Sequence, residues 1–251
     1  MTADERLARI RSKVQRAKQH FGNLKIARDR FIESEPYVVE SKKNPKAGYV
    51  DFYLANIQAP PDEIGLITGD VIHNLRSALD HLAYQLVLVN SATPTRQTCF
   101  PIFDSAQIVT TGTRQVQGMA QTAIDAINAA KPYQSGTDEL WWLHKLDIAD
   151  KHHAPLLTLM RVGEADIEVP GGFWQPGFKW PDFAMPGFGT PLKDGDVFFT
   201  CELGVEDYTK VRFDVMLSDP QSIKSFPLVM LLQKILYVVD ALIVSFRLEL
   251  V

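Results

Sequence analysis

Residues 62–89, DEIGLITGDVIHNLRSALDHLAYQLVLV, decide how the chain is organised. Pro60 and Pro61 stop whatever precedes them, and Asp62 and Glu63 set two carboxylates where a helix N-terminus is electropositive. Advancing about 100° per residue from His73, Arg76 falls at about −60°, Asp80 at about −20°, Tyr84 at about +20°, Ser77 at about +40° and Asp70 at about +60°. His81 and Asn74 flank that stripe, at about +80° and +100°. Val71, Ile72, Leu75, Leu79, Leu82 and Leu86 take the opposite side. The pattern predicts an amphipathic helix with one face in a core. A solvated helix face is usually filled with Lys and Glu, which are good helix formers. Between residues 70 and 85 there is neither. The stripe consists instead of groups that make directional hydrogen bonds and transfer protons.

Downstream, residues 137–153 (TDELWWLHKLDIADKHH) predict a second helix, opened by Thr137 with Asp138 and Glu139 and closed before Pro155. Leu140, Trp141, Trp142, Leu143, Leu146 and Ile148 leave it no wide polar face, so it is expected to be buried, along with His144, Asp147 or Lys151. Buried charges need partners. The Arg, Asp and His groups of the first stripe are the obvious ones, so the two helices are expected to pack with their polar residues facing. His144 shares a face with Asp147, and Asp150 stands near His152 and His153.

Upstream, residues 3–34 predict one long helix whose seam runs Leu7, Ile10, Val14, Ala17, Phe21, Leu24 and Phe31, with Arg28 at the skipped position. Within residues 1–30, nine Lys and Arg face three Asp and Glu. This positive face reads as solvated helix exterior, with an RNA-contacting surface as the alternative. Residues 36–57 predict a β-hairpin around a Lys-Asn-Pro-Lys-Ala-Gly turn. Helical segments are expected near 104–111 and 117–130, and strands at 156–162, 165–169, 197–203 and 210–217. Residues 170–195 read as a Gly/Pro/aromatic loop, and loops of this length are usually functional or mobile. A last helix is expected from about Ile223. The predicted fold is α+β: a mainly helical bundle with a β-hairpin and a small antiparallel sheet. It is read as one domain over 1–251, with a helical core at 1–35, 62–153 and 223–248 and a strand-rich part at 156–217.

The chain has 251 residues, 46% of them hydrophobic and 22% charged, with a net charge of −4, which excludes disorder and gives no global reason to bind nucleic acid or anionic lipid. Cys99 and Cys201 are neither a disulfide scaffold nor a zinc ligand set. The N-terminus has no apolar signal core, and the long apolar stretch Phe226–Phe246 is interrupted by Gln233, Lys234 and Asp240. A buried core helix, no membrane partner and a cytoplasmic location are therefore expected. No His-Glu-x-x-His spacing suggests a metal, no Gly-x-Ser-x-Gly elbow a hydrolase, and no Gly-rich motif opens a helix, so no cofactor is expected.

Arg76-Ser77-Ala78-Leu79-Asp80-His81 resembles the Arg-x4–6-His motif of the HEPN superfamily, helical bundles that include metal-independent ribonucleases. Together with Leu146-Asp147-x-x-Asp150-Lys151-His152, the segment also resembles a recurring type of bacterial protein. The HEPN resemblance covers residues 60–155. It implies a homodimer that brings two motifs together, RNA or a nucleotide as partner, and a defence or toxin role. Arg76 and His81 would be catalytic: a histidine near neutrality can take the 2′-hydroxyl proton, and a guanidinium can hold the phosphorane oxygens. His73 would be a second proton-transfer group and Asp80 would orient Arg76. Asn74, Ser77, Tyr84, His144, Asp147, Asp150, Lys151 and His152 are candidates for binding. The rival expectation is a non-enzymatic interaction or ligand-binding protein, whose stripe is a buried hydrogen-bond network clamping the 62–89 helix to the 137–153 helix and whose aromatic 170–191 loop makes the contacts.

Overall fold

Helical periodicity and capping chemistry shape most of the computed structural model, which describes residues 2–152, 158–164, 193–203, 212–217 and 226–251. The chain is α+β and mainly helical. Helix α1, Ala3–Glu33, begins with a capping box: Thr2 Oγ1 accepts from the Glu5 N–H at 3.2 Å, and Glu5 Oε2 accepts from the Thr2 N–H at 2.7 Å. Strands β1 (Val38–Asn44) and β2 (Tyr49–Ala55) form the expected hairpin. Helix α2 is Asp62–Val89. It stops where Ser91 takes φ 56° and the Ala92 N–H reaches the Val87 carbonyl at 3.2 Å. Helix α3 is Gln121–Ala129 and α4 is Asp138–His152. Strands β3 (Thr158–Glu164), β4 (Val197–Glu202) and β5 (Arg212–Leu217) follow, then α5, Leu228–Ser245, behind Pro227 and ending in a 3-10 turn to Leu250.

The chain divides into two compact units. One holds Met1–Lys25, Gly65–Leu156 and Val229–Val251, and the other holds Ile26–Ile64 and Leu157–Leu228. In the first, the inner sides of the helices bury Ile10, Val14, Leu24, Leu75, Leu79, Leu143, Ile235 and Val239 at 1% exposure or less. Phe100 is sealed there against Phe246, ring edge to face at 6.3 Å. In the second, β4 joins the hairpin to make the order β1-β2-β4, all antiparallel, and β3 pairs antiparallel with β5. Alternate residues of β2 (Val50, Phe52, Leu54) point into the core, as a half-buried strand requires. Arg28, the skipped position of the α1 seam, lies 3.6 Å from Asp214 of β5.

The expected helix at 104–111 is absent. Asn128 of α3 takes both backbone groups of Val109, accepting from its N–H at 2.8 Å and donating to its carbonyl at 2.9 Å, so the segment runs along a side chain rather than closing turns on itself. The 117–130 helix is shorter than expected: a 3-10 turn at Arg114–Val116 and Gly118, at φ 90°, precede α3. The expected strand at 165–169 and most of the 170–195 loop lie outside the described residues. Helix α5 is long and apolar enough to cross a membrane with the 3-10 turn included (Leu228–Leu250, mean hydropathy 2.0, 33% buried).

Candidate functional site

The polar stripe of α2 is shared between two neighbours within the first unit. Its negative-angle flank meets α4 and the loop before Pro101. Gly69 makes the close approach to α4: a Cβ added there would stand 2.6 Å from Asp150 Oδ1. Asp147, 4% exposed, donates nothing and accepts from Lys151 Nζ at 2.7 Å, while its other oxygen lies 4.0 Å from His73 Nδ1. The facing of polar residues expected from the two apolar patterns is therefore present.

Arg76 is 6% exposed. Its Nη2 donates to the Phe100 carbonyl at 2.8 Å and lies 2.9 Å from Asp80 Oδ1. The same Asp80 oxygen accepts from the Phe100 N–H at 3.0 Å. Arg76 and Asp80, one helical turn apart, thus take both backbone groups of one buried phenylalanine and seat the 91–101 loop on α2. Burial raises the Asp80 carboxyl above its ordinary range, against the pull of Arg76 and the Phe100 amide. Burial and Asp80 also push the Cys99 thiol up. On α4, burial and then the charges of Arg76 and Lys145 push His144 down to about 4, leaving it neutral near pH 7. Burial and the neighbouring Asp147 raise Asp150. Arg76 Nη1, His144 Nδ1 and Asp147 Oδ1 are buried without hydrogen-bond partners.

The positive-angle flank meets α1, which runs antiparallel to α2. Arg6 Nη1 donates to Gln85 Oε1 at 2.7 Å near one end, and His20 Nδ1 lies 3.6 Å from Asp70 Oδ2 near the other. Between them opens a cleft of about 680 Å³ lined by Ala8, Arg9, Ser12, His81, Tyr84 and Gln85. His81 is exposed, and Tyr84 is 47% exposed. On α1, Arg6, Arg9, Lys13, Arg16 and His20 fall within about 80° of one another, so the rim of this cleft is a basic ridge.

The structure brings Arg76, Asp80, His144, Asp147, Lys151 and His73 to the α4 side and His81, Tyr84 and Asp70 to the α1 side. It does not bring Arg76 and His81 together, because their positions diverge by about 140° around α2. Asn74 donates to the Asp70 carbonyl at 2.8 Å, a local bond within the helix, and Ser77 is half-buried. The side chain of His152 lies outside the described ones. Arg9, Ser12 and Gln85 were not singled out in the sequence, although the basic excess of α1 was visible there. Among the described residues no group of three or more His, Cys, Asp or Glu is disposed to hold a metal. Comparison with protein-family models, curated proteins and solved structures finds no match.

Proposed function

We propose that the chain is a non-cleaving RNA- or nucleotide-binding protein. Its contact surface is the α1–α2 cleft, and its Arg76–Asp80–Phe100 clamp is structural. The observation that carries this reading is the division of the stripe. The open flank presents an aromatic ring (Tyr84), an imidazole (His81) and a guanidinium (Arg9) around one cleft, while Arg76 is sealed and already bonded. Single-stranded nucleic acid is held by such pairings, with bases stacking on an aromatic face and phosphates running along a cationic ridge. Cleavage by an Arg–His pair needs both groups at one phosphate, and the angular separation of Arg76 and His81 argues for binding without it.

The test is fluorescence anisotropy with a labelled single-stranded RNA oligomer, with the oligomer run on a gel afterwards. Binding is expected to weaken as salt rises, since released counterions set the slope. Tyr84→Ala should raise Kd by about tenfold, within the range for loss of one stacked base. Arg9→Ala should raise Kd and flatten the salt slope, and the oligomer should remain intact throughout. Intact RNA with no binding at low salt would overturn the reading. So would cleavage that both Arg76→Ala and His81→Ala abolish in folded protein.

A further inference from the structure

Among the described residues, those lining the cleft between α1 and α2 bring hydrogen-bond donors and no carboxylate. Arg9 supplies a guanidinium, Ser12 and Tyr84 hydroxyls, His81 an imidazole and Gln85 an amide, with Ala8 beside them. Glu5, one turn before Arg9, is held in the N-terminal cap, where it accepts from the Thr2 N–H at 2.7 Å. Gln85 Oε1 accepts from Arg6 Nη1 at 2.7 Å, so the donor that Gln85 brings is its amide NH2. That bond ties α1 to α2 next to the cleft and bars one end of it. In the other direction the ridge continues through Lys13 to Arg16, about 11 Å beyond Arg9 along the helix. The Ser12 hydroxyl donates to the Arg9 carbonyl at 2.7 Å. That oxygen also serves the helix ladder, so rotation about one bond turns the hydroxyl to a ligand without stranding the carbonyl.

These features separate two kinds of phosphate. A phosphodiester inside a strand carries a single charge, and the strand on both sides of it needs a way through the site. A phosphomonoester ends its chain, carries close to two charges at pH 7 and offers three strong acceptor oxygens. A recess barred at one end, rich in donors and lined by no carboxylate, suits the second. We infer, on the basis of the nucleic-acid or nucleotide reading above, that the cleft takes a phosphomonoester, the terminal phosphate of a single strand or of a mononucleotide. Arg9 meets its oxygens as a fork, while Ser12 from the same helix and His81 and Gln85 from α2 donate to those that remain. Tyr84, 47% exposed, stacks on the adjoining base. The strand then leaves along Lys13 and Arg16, away from the barred end. The cleft volume, about 680 Å³, is that of a small-ligand pocket rather than of a long groove.

The experiment is fluorescence anisotropy on the full chain, with single-stranded RNA oligomers labelled at the end not under test. Strands bearing a 5′- or a 3′-phosphate are compared with a hydroxyl-ended strand one nucleotide longer, which carries as many phosphates. At least one phosphorylated end should lower Kd by about tenfold, the effect of one charge-assisted hydrogen bond. Arg9→Ala/Ser12→Ala should bring the two Kd values together with the melting temperature unchanged, since both side chains are exposed. Arg16→Ala should weaken both strands alike and keep their ratio. Unlabelled uridine monophosphate and uridine divide the sources. Displacement by the monophosphate alone supports the proposal for mononucleotides as well as strand ends, and displacement by neither, with the ratio retained, supports it for strand ends. Equal Kd values for phosphate and hydroxyl ends would overturn the proposal and leave RNA binding standing. So would displacement by uridine as strong as by its monophosphate, or a ratio that survives the double variant, which places the phosphate elsewhere. No binding of any oligomer or of the monophosphate would overturn both the proposal and the reading beneath it.

Discussion

Arg76 shows at the scale of one residue how burial decides a role. Its guanidinium and the Asp80 carboxylate hold the backbone of Phe100 from both sides, so the pair does within a loop what a neighbouring strand would do in a sheet. Arg76→Ala would leave the Phe100 carbonyl without this donor and the half-buried Asp80 carboxylate without its countercharge, held by the Phe100 N–H alone. The expected loss is about 3 kcal/mol, since breaking a buried pair strands the surviving partner, measurable by urea unfolding. Arg76→Lys should restore only part of it, because Nη2 alone makes both contacts and the shorter lysine side chain places its ammonium about one bond short of that position. The Arg-to-His spacing was visible in the sequence. The burial of the arginine was not, since its partner carbonyl belongs to a loop 24 residues away.

At the scale of elements, α2 and α4 meet because their patterns fit and because Gly69 permits it. The predicted limits of α1, α2 and α4 stand within a residue or so of those observed, since capping residues and prolines act locally. The 104–111 segment shows where local reading fails: its helix-compatible sequence is overruled by Asn128, a side chain about twenty residues away. Gly69→Ala should raise helix propensity by about 1 kcal/mol, yet its methyl would press on the Asp150 carboxylate. The single variant is therefore expected to be destabilised. Adding Asp150→Ala should turn Gly69→Ala into a stabilising change, a sign reversal that a thermal double-mutant cycle would read. If the glycine change costs the same in both backgrounds, the contact does not set the approach of the helices.

At the scale of the whole molecule, buried titratable groups make stability depend on pH. His144 is held down to about 4 by burial and by Arg76 and Lys145, so between about 6.5 and 4 the unfolded chain binds a proton that the folded chain refuses. Stability is thus full above that window and falls as pH drops through it. Burial raises Asp240, but its bonds to Lys18 and Arg11 outweigh burial and leave the carboxyl below its usual range. Its contribution is present at neutral pH and lost at lower pH still. Asp80 and Asp150, both raised, act in the opposite sense, because the folded chain takes up their protons first. The His144 contribution should lower the melting temperature as pH drops from 7 to 4, with Asp80 and Asp150 opposing it. His144→Gln should flatten that part of the curve, and Asp240→Asn should flatten only the more acidic part. A His144→Gln profile parallel to the wild type would remove His144 as the cause.

The sequence by itself determined the α+β class, the long helices, the hairpin and a polar stripe on α2 too poor in lysine and glutamate for an ordinary solvated face. These follow from periodicity, caps and breakers, which act over a few residues and need no knowledge of neighbours. Only the tertiary structure decided how the stripe is shared between neighbours. Positions about 140° apart on one helix face different partners, so the motif that joins Arg76 and His81 in sequence is parted in space, one side sealed by Phe100 and α4 and the other open beside the basic ridge of α1. The same holds for α5, whose composition suited a core helix and whose exposed apolar residues Met230, Tyr237 and Val244 became visible only once packing had used the opposite face.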